Sequence, residues 1–325
     1  GPMRGLLVEL TRLRWRRAVL LLLVAVVVLP ALLLATTAWN TRPMSDAEID
    51  SLLSERYAQR EVARCERRPE QYVDYSGEAV EPEGCREMIA GWYGGRQTLR
   101  PAQELDGTVL AASTLVLALV LLLGTTFVGH DWNTGSMSNQ LLFEPRRGRV
   151  WATKAVAVTL TCLLLATAVL SAYWWGVTTL ASVRDVAVAD GVVGDGYEQA
   201  LRTGVLAGAT ALGGYALTML FRSTVATVGV LFGLAVANGA LLGIVGQTTQ
   251  RWTPPLNVMA VMQGQVTYYD ESAIAPECRF GTAGPADDCD PERTLTAGDG
   301  GLYLGSALLL ACGASVVSFR RRDVP

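Results

Sequence analysis

The stretch AVLLLLVAVVVLPALLLATTAW at residues 18–39 decides the fold, because it is long, apolar and free of charged side chains. Crossing a hydrocarbon core of roughly 30 Å takes about 20 helical residues, which rise 1.5 Å each. Five further runs of this kind contain no Asp, Glu, Lys, Arg or His: 108–129, 155–177, 203–221, 223–245 and 300–319. The sequence therefore predicts an all-α membrane protein with six transmembrane helices.

A single charged residue, Arg222, separates the fourth and fifth runs. One continuous helix over both runs would be about 65 Å long, twice the bilayer thickness. We therefore expect a tight turn at Arg222. The first run has a second interpretation, a secretory signal peptide, but it is longer than the 7–15 apolar residues typical of such peptides and no clean A-x-A site follows it. We expect it to be retained, and we interpret residues 1–2, before Met3, as a tag remnant.

The charges divide between the two ends of the runs. The segments 40–107, 178–202 and 246–299 hold 26 of the 30 acidic residues. Basic residues gather at the opposite ends: Arg12, Arg14, Arg16, Arg17, Arg146, Arg147, Arg149, Lys154, Arg222, Arg320, Arg321 and Arg322. The positive-inside rule predicts that the basic side, with both termini and the tail 320–325, is cytoplasmic. We expect a plasma membrane location, and the 26 arginines against one lysine favour a bacterial host.

The six cysteines agree with this topology. Four of them fall in the predicted extracellular segments, where an oxidising environment permits disulfides. Three pairings are possible, and we favour Cys65–Cys85 and Cys278–Cys289 because each closes a short loop. Cys162 and Cys312 lie inside apolar runs and are expected to be small packing residues.

The segments outside the runs have their own patterns. Residues 3–17 space leucines at helical intervals with arginines between them, which favours an amphipathic elbow helix on the inner membrane surface. A plain basic anchor is the alternative. The segment 40–107 is predicted to form an ordered extracellular cap with a helix over 45–67, and Ser45 and Glu48 fit a capping box at its start.

The third extracellular segment, 246–299, combines prolines and apolar residues in its first half, which favours a re-entrant path, while 276–301 is typical of a loop. Glycines at four-residue spacing occur in 203–221 and in 223–245. Such spacing lets helices approach closely. It is consistent with packing inside one chain or with a contact between subunits.

Catalytic and nucleotide-binding patterns are missing from the sequence. It has no G-x-x-x-x-G-K-[ST] phosphate loop, no Rossmann glycine fingerprint and no paired Cys or His spacing for zinc. The single histidine, His130, cannot build a zinc protease site. The apolar runs also lack the ionisable groups through which proton-driven or sodium-driven carriers couple ions to substrate. We expect a chain that is not an enzyme, holds no metal and receives any transport energy from a cytoplasmic partner.

The segment 130–154 is long enough to receive such a partner. It reads HDWNTGSMSNQLLFEPRRGRVWATK. An acidic residue, a Gly-Ser pair, a Leu-Leu-x-x-Pro turn and a lysine that opens the next run occur here as Asp131, Gly135-Ser136, Leu141-Leu142, Pro145 and Lys154. This pattern resembles the ABC-2 type permeases, the membrane subunits of a class of ABC transporters. The acid in that family is more often glutamate, and the residues after Pro145 are more basic here.

The resemblance implies an ATP-driven exporter, and we expect an amphipathic or lipid-like cargo. It implies two copies of a separate nucleotide-binding subunit, which would bind ATP and Mg, and a second permease subunit; membrane lipids would be the other partners and nucleic acid would not. In that family the segment between the second and third spans is a coupling helix. Carried over, the residues that contact the ATPase are Leu141, Leu142, Phe143, Glu144, Arg146 and Arg147.

Three alternatives remain open at this stage. The segment 130–154 is also consistent with a solvated basic loop that only sets topology. Asn238 is a candidate for the translocation path, because spans two and five face that path in the family, but an interhelical hydrogen bond is equally consistent with it. A non-transporting sensor or scaffold would use the extracellular cap instead.

Overall fold

The structure is a computed structural model that describes residues 2–72, 80–95, 98–245, 247–270, 278 and 290–321. Within them the helices are α1 (Pro2–Trp15), α2 (Arg17–Asn40), α3 (Asp46–Leu52), α4 (Arg56–Arg67), α5 (Cys85–Gly94), α6 (Pro101–Glu104), α7 (Leu110–Asn133), α8 (Ser136–Phe143), α9 (Arg147–Val183), α10 (Val192–Phe221), α11 (Thr224–Val245), α12 (Pro254–Gln263) and α13 (Ala297–Arg321). The described residues also contain two strands, β1 (Gln265–Tyr269) and β2 (Glu292–Thr296).

Six helical segments of the described chain are long and apolar enough to cross a membrane: α2, the segment Pro101–Asn133 that contains α7, α9, α10, α11 and α13. Each contains one of the six charge-free runs to within one residue. The coarse prediction of a helical, multi-pass membrane protein is thereby confirmed. The helices run past the charge-free stretches, however, and α9 begins at Arg147, so Lys154 lies inside a helix rather than at its start.

The turn predicted at Arg222 is confirmed. Helix α10 ends at Phe221 and α11 begins at Thr224, and Arg222 adopts a left-handed φ of 57° between them. A left-handed residue is a common way to end a helix and reverse the chain.

The chain divides into two compact units, one of residues 1–31, 109–174 and 193–325 and the other of residues 32–108 and 175–192. In the first unit α7 and α10 are the most buried helices, with 44% and 56% of their apolar windows covered, against 6% for α11. Gly124 explains this close packing: a Cβ there would lie 2.2 Å from the carbonyl oxygen of Ala211 on α10. Only glycine permits that approach of the two backbones.

The second unit contains α3, α4 and α5, which bury a small apolar core of Leu53, Ala58, Val62, Ile89 and Ala90. The capping box predicted at Ser45 and Glu48 is confirmed. The single helix expected over 45–67 is wrong, because residues 53–55 break it into α3 and α4. The break lets α3 and α4 each place apolar side chains in that core.

The expected loop character of 276–301 is also wrong at its end. Strand β2 pairs antiparallel with β1, with Gln265 opposite Thr296 and Tyr269 opposite Glu292. Leu295 and Leu256 of α12 join this sheet to a second small core. A two-stranded sheet therefore supplements the predicted all-α fold.

Candidate functional site

Helix α8 occupies the centre of the segment that resembles a coupling helix. Gly135 precedes it with a left-handed φ of 67°, a conformation that glycine adopts without steric cost. The chain therefore leaves α7 and turns directly into α8. Met137 is 1% exposed, so one side of α8 is fixed inside the unit.

The other side of α8 is exposed to solvent. Leu142 is 80% exposed and Phe143 is 91% exposed. Large apolar side chains at such exposure mark contact surfaces when charged residues surround them. Arg146 is exposed beside them, and the half-buried Glu144 lies 3.4 Å from Arg149.

The remaining residues of the predicted contact set are less available. Leu141 is half-buried. Arg147 is half-buried too and donates a hydrogen bond of 3.2 Å to the carbonyl oxygen of Phe319 on α13. The structure thus brings Leu142, Phe143 and Arg146 together on the surface and uses Arg147 inside the unit.

A buried ion cluster lies behind α8. The Nζ of Lys154 is 2.9 Å from Oε2 of Glu9 and 2.8 Å from Oδ2 of Asp131. The three side chains are at most 1% exposed. Lys154 is the single lysine of the chain, and it joins α1, α7 and α9 at one point.

A second base, Arg16, contacts Asp131 in this cluster. Arg16 donates one hydrogen bond to Asp131 and another to the carbonyl oxygen of Phe127. The ring of Phe127 lies below both cations, 5.4 Å from the Arg16 guanidinium and 5.5 Å from the Lys154 ammonium. Arg12 also lies 3.3 Å from Oε1 of Glu9, so three cations surround the two carboxylates in a site where unpaired charge is costly.

The cluster extends to α8 through a side-chain amide. Gln140 donates to Oε1 of Glu9 at 2.9 Å, and Arg12 donates to Oε1 of Gln140 at 3.0 Å. If α8 moved, it would therefore either break these hydrogen bonds or move Glu9 and Arg12 with it. Gln140 lies within one helical turn of the exposed pair Leu142 and Phe143, so this pair is connected to the buried cluster through a short part of α8.

The predicted elbow segment 3–17 is helical over most of its length as α1. Its leucines differ in exposure: Leu10 is exposed, whereas Leu13 is buried at 2%. Glu9 and Arg16 enter the ion cluster. Polar groups of α1 thus hold the helix to α7 and α9.

Aromatic contacts stabilise the same end of the helices. The guanidinium of Arg222 lies 5.0 Å from the ring centre of Trp132, and that ring packs edge-on against Phe319 at 6.2 Å. The indole N–H of Trp151 donates a hydrogen bond of 3.0 Å to the hydroxyl of Ser315. These contacts connect α7, α9 and α13 with the turn at Arg222.

The two glycine patterns have different surroundings. In α10, an added Cβ at Gly204 would meet Thr167, and one at Gly208 would meet Leu163, both within about 3 Å. In α11, no atom of the described residues lies within 4 Å of that position at the glycines 229, 233, 239 and 243. The α10 pattern therefore packs inside the chain, whereas the α11 pattern has no close neighbour among the residues that the structure describes.

Asn238 lies on α11 and is half-buried. This placement neither assigns it to a path nor supplies the interhelical hydrogen bond that was the other interpretation. His130 is exposed. Among the described residues, no group of three or more His, Cys, Asp and Glu side chains could hold a metal ion.

The disulfide prediction is confirmed for Cys65 and Cys85, which join α4 to the start of α5. Cys278 is also disulfide-bonded, but its predicted partner Cys289 lies outside the described residues. Cys162 is a buried free cysteine and Cys312 a half-buried one.

The ion cluster was the main omission of sequence reasoning. Two signals were present: the single lysine, and the position of Glu9 and Asp131 among the four acidic residues outside the acid-rich segments. An acid that stands among bases at the ends of apolar runs is a candidate for a buried pair.

The described residues form a helical protein with six potential membrane spans, an exposed apolar pair on α8 and a buried ion cluster behind it. No family model, no curated protein and no solved structure matches the chain. The likeness to ABC-2 permeases consequently rests on the sequence pattern alone.

Proposed function

We propose that this chain is the permease subunit of an ATP-driven transporter and that α8 is the element that contacts the ATP-hydrolysing subunit. The observation that carries the proposal is the two-sided construction of α8. Met137 and Gln140 fix one side to the unit, while Leu142 and Phe143 remain 80% and 91% exposed on the other.

A coupling element needs both properties. Its outer surface must bind a moving partner, and its inner side must be tied to the membrane helices so that the movement is transmitted. The ion cluster supplies such a tie, because Gln140 bonds Glu9 and Glu9 bonds Lys154 of α9. A loop that only sets topology would need neither a bare apolar pair nor a buried network.

The orientation of the proposal follows the charge pattern. The basic ends of the helices, with α1, α8 and both termini, would face the cytoplasm and the residues 40–107 the outside. ATP and Mg would be bound by the partner. The pathway would lie between this chain and a second permease. We assign that contact to α11, whose glycine pattern has no close neighbour among the described residues. Asn238 on α11 would then be its polar group.

The direction and cargo of transport are part of the proposal. We assign export to the chain by its resemblance to ABC-2 exporters. An amphipathic or lipid-like cargo suits apolar runs that contain no charged residue.

The test is association with a nucleotide-binding subunit encoded beside this chain. Phe143→Asp should weaken co-purification of that ATPase by tenfold or more, because aromatic anchors at the centre of an interface contribute about 2 kcal/mol or more to binding. Asn139→Asp is the matched control: it adds the same charge to an exposed position of α8 and should leave the complex intact.

A complex that forms equally well with Phe143→Asp, and whose ATPase activity is unchanged, would contradict the assignment of α8. If no neighbouring ATPase binds the wild-type chain, the alternative of a non-transporting sensor or scaffold becomes the better explanation. Phe143 is almost fully exposed, so its replacement should not unfold the chain.

A further inference from the structure

A line of arginines runs along the exposed side of α4. The buried side of this helix consists of Ala58, Val62 and Cys65. At about 100° of rotation per residue, the opposite side falls on positions i, i+4, i+8 and i+11. Four exposed arginines occupy these positions and form what we call the arginine stripe: Arg56, Arg60, Arg64 and Arg67.

The electrostatics of the helix explain only part of this stripe. Arg64 and Arg67 lie in the last turn of α4, where a cation is favourable. Arg56 is instead the first residue of the helix, where a cation opposes the helix dipole. Arg60 has arginines four positions before and after it, and like charges at this spacing repel each other. The stripe therefore destabilises the start of α4, and a role in binding accounts for it better than a role in folding.

The arginines differ in how far the protein already uses them. Arg64 forms an ion pair of 2.9 Å with Glu61, and the Nε of Arg67 donates a hydrogen bond of 2.9 Å to the carbonyl oxygen of Ala63. Within the part of the chain that the structure describes, the guanidinium groups of Arg56 and Arg60 form no hydrogen bond or ion pair. The first half of the stripe consequently has all of its donors available.

Acidic residues border the stripe on both sides. Glu55 and Glu66 are exposed on one side, and Glu61 lies on the other with its side chain 13% exposed. A broad anionic surface, such as a bilayer of acidic lipids, would meet these carboxylates together with the arginines and would be repelled by them. A narrow partner with its negative charges in one line would meet the arginines alone.

An aromatic residue lies beside the stripe. Tyr57 is 63% exposed and precedes Arg60 by three positions and Arg64 by seven, so it lies next to them on the helix surface. Its ring packs edge-on against that of Tyr93, with 6.4 Å between the ring centres. Tyrosine and arginine are both enriched in protein–protein interfaces. The combination favours a protein partner over a purely ionic polymer.

The stripe lies on a fixed helix. The disulfide between Cys65 and Cys85 joins α4 to α5, and Ala58 and Val62 are part of the apolar core of this unit. A surface that is already ordered loses little conformational freedom when it binds. Because disulfides persist in oxidising compartments, the partner would meet this surface outside the cytoplasm.

We propose that the arginine stripe of α4 docks an acidic helix of a partner protein. Carboxylates spaced four residues apart on such a helix recur about every 6 Å, which is the spacing of the arginines from Arg56 to Arg64. The docking requires nothing of α8 or of an ATPase, and it stands whether or not the chain transports a substrate.

The test uses two synthetic peptides of equal charge. Both are fluorescein-labelled, alanine-based and stapled as helices. One has four glutamates in line at i, i+4, i+8 and i+11, and its isomer has the same four distributed around the helix. The full chain is held in nanodiscs of a neutral lipid, and fluorescence anisotropy measures binding. We expect saturable binding of the in-line peptide and at least about tenfold weaker binding of the isomer, because only the first can meet all four arginines.

Arginine variants test the assignment to the stripe. Each single replacement of a stripe arginine by glutamine should weaken the in-line peptide about threefold, because one exposed ion pair contributes little. Replacement of all four should weaken it at least about fiftyfold. Arg86→Gln is the matched control: it removes an exposed arginine of α5 that pairs with Asp50 and does not belong to the stripe, and the affinity should stay the same. Mass spectrometry without reductant should find the bond between Cys65 and Cys85 intact in every variant.

Three results would overturn the proposal. They are equal affinity for the two peptides, unchanged affinity in the Arg56→Gln/Arg60→Gln double variant, and tighter binding of inorganic polyphosphate than of the in-line peptide. Attachment of the nanodiscs to phosphatidylglycerol vesicles that is lost in the same double variant would assign the stripe to a lipid surface instead. None of these outcomes depends on ATPase binding, so the assignment of α8 is tested separately.

Discussion

The ion cluster around Lys154 and the ion pairs of residues 32–108 use the same kinds of side chain in opposite surroundings. Lys154 and Asp131 are 0% exposed, whereas Arg86 and Asp50 are 56% and 67% exposed. Pairs at the surface typically contribute 0 to about 1 kcal/mol to stability, but removal of one partner from a buried pair costs about 3–5 kcal/mol. Burial, not the presence of a salt bridge, determines which charges hold this protein together.

The two regions also differ in the interactions that stabilise them. The cluster that joins α1, α7 and α9 is held by the attraction between two buried carboxylates, Glu9 and Asp131, and the cations of Lys154, Arg16 and Arg12. Residues 32–108 instead rely on a small apolar core and on the disulfide between Cys65 and Cys85. Small cores contribute little, and disulfides commonly supplement them.

The largest expected effect is that of Asp131→Asn. The substitution keeps the shape of the side chain but removes the negative charge between Lys154 and Arg16, and we expect a loss of about 3–5 kcal/mol in the free energy of unfolding. The single lysine provides the measurement. At alkaline pH an amine reagent should modify Lys154 only when the cluster opens.

Glu144→Gln is the matched control for that experiment. It removes the same charge from a partly exposed carboxylate at the same end of the helices, and the modification of Lys154 should follow the wild-type curve within about 0.5 kcal/mol. If Asp131→Asn leaves Lys154 equally protected at every denaturant concentration, the cluster is not the stabilising element described here.

The second effect concerns the disulfide. Replacement of Cys65 and Cys85 by alanine frees a loop with a sequence separation of 20, and we expect about 3 kcal/mol less stability for α4 and α5. Hydrogen exchange of those helices measures the loss directly. The protection of Lys154 should not change, because the cluster contains no residue of this unit. Wild-type exchange in α4 and α5 would mean that their apolar core alone holds them.

The sequence predicted the membrane helices well because an apolar run of about 20 residues has few other stable solutions. It also predicted the turn at Arg222 and the bridge between Cys65 and Cys85 from local patterns. Strands β1 and β2 escaped prediction because they are five residues each and pair across a long separation in the sequence. Their pairing depends on contacts that no local pattern encodes.

The candidate site was predictable only on its outer side. The Leu-Leu-Phe segment of α8 was selected through the resemblance to the ABC-2 permeases, and its exposure could not be read from the sequence. Prediction of the inner side would have required knowledge that Glu9 contacts Lys154, and these residues are 145 positions apart in the sequence. Because charged residues were excluded from the predicted spans, Asp131 and Lys154 were placed just outside them. In the structure α7 and α9 extend past these residues, and the two side chains form a buried ion pair.

The smallest effect is expected at the exposed pair of Arg86 and Asp50. Arg86→Gln and Asp50→Asn should each change the stability of α3 and α5 by less than about 1 kcal/mol, because water already solvates both charges and salt screens their attraction. A double-mutant cycle followed by hydrogen exchange gives the coupling between them. It should fall further as ionic strength rises, while the protection of Lys154 in its buried cluster should hardly respond to salt. A coupling energy between Arg86 and Asp50 as large as the stability loss from Asp131→Asn would contradict this comparison. Exposure would then not explain which ion pair stabilises the protein.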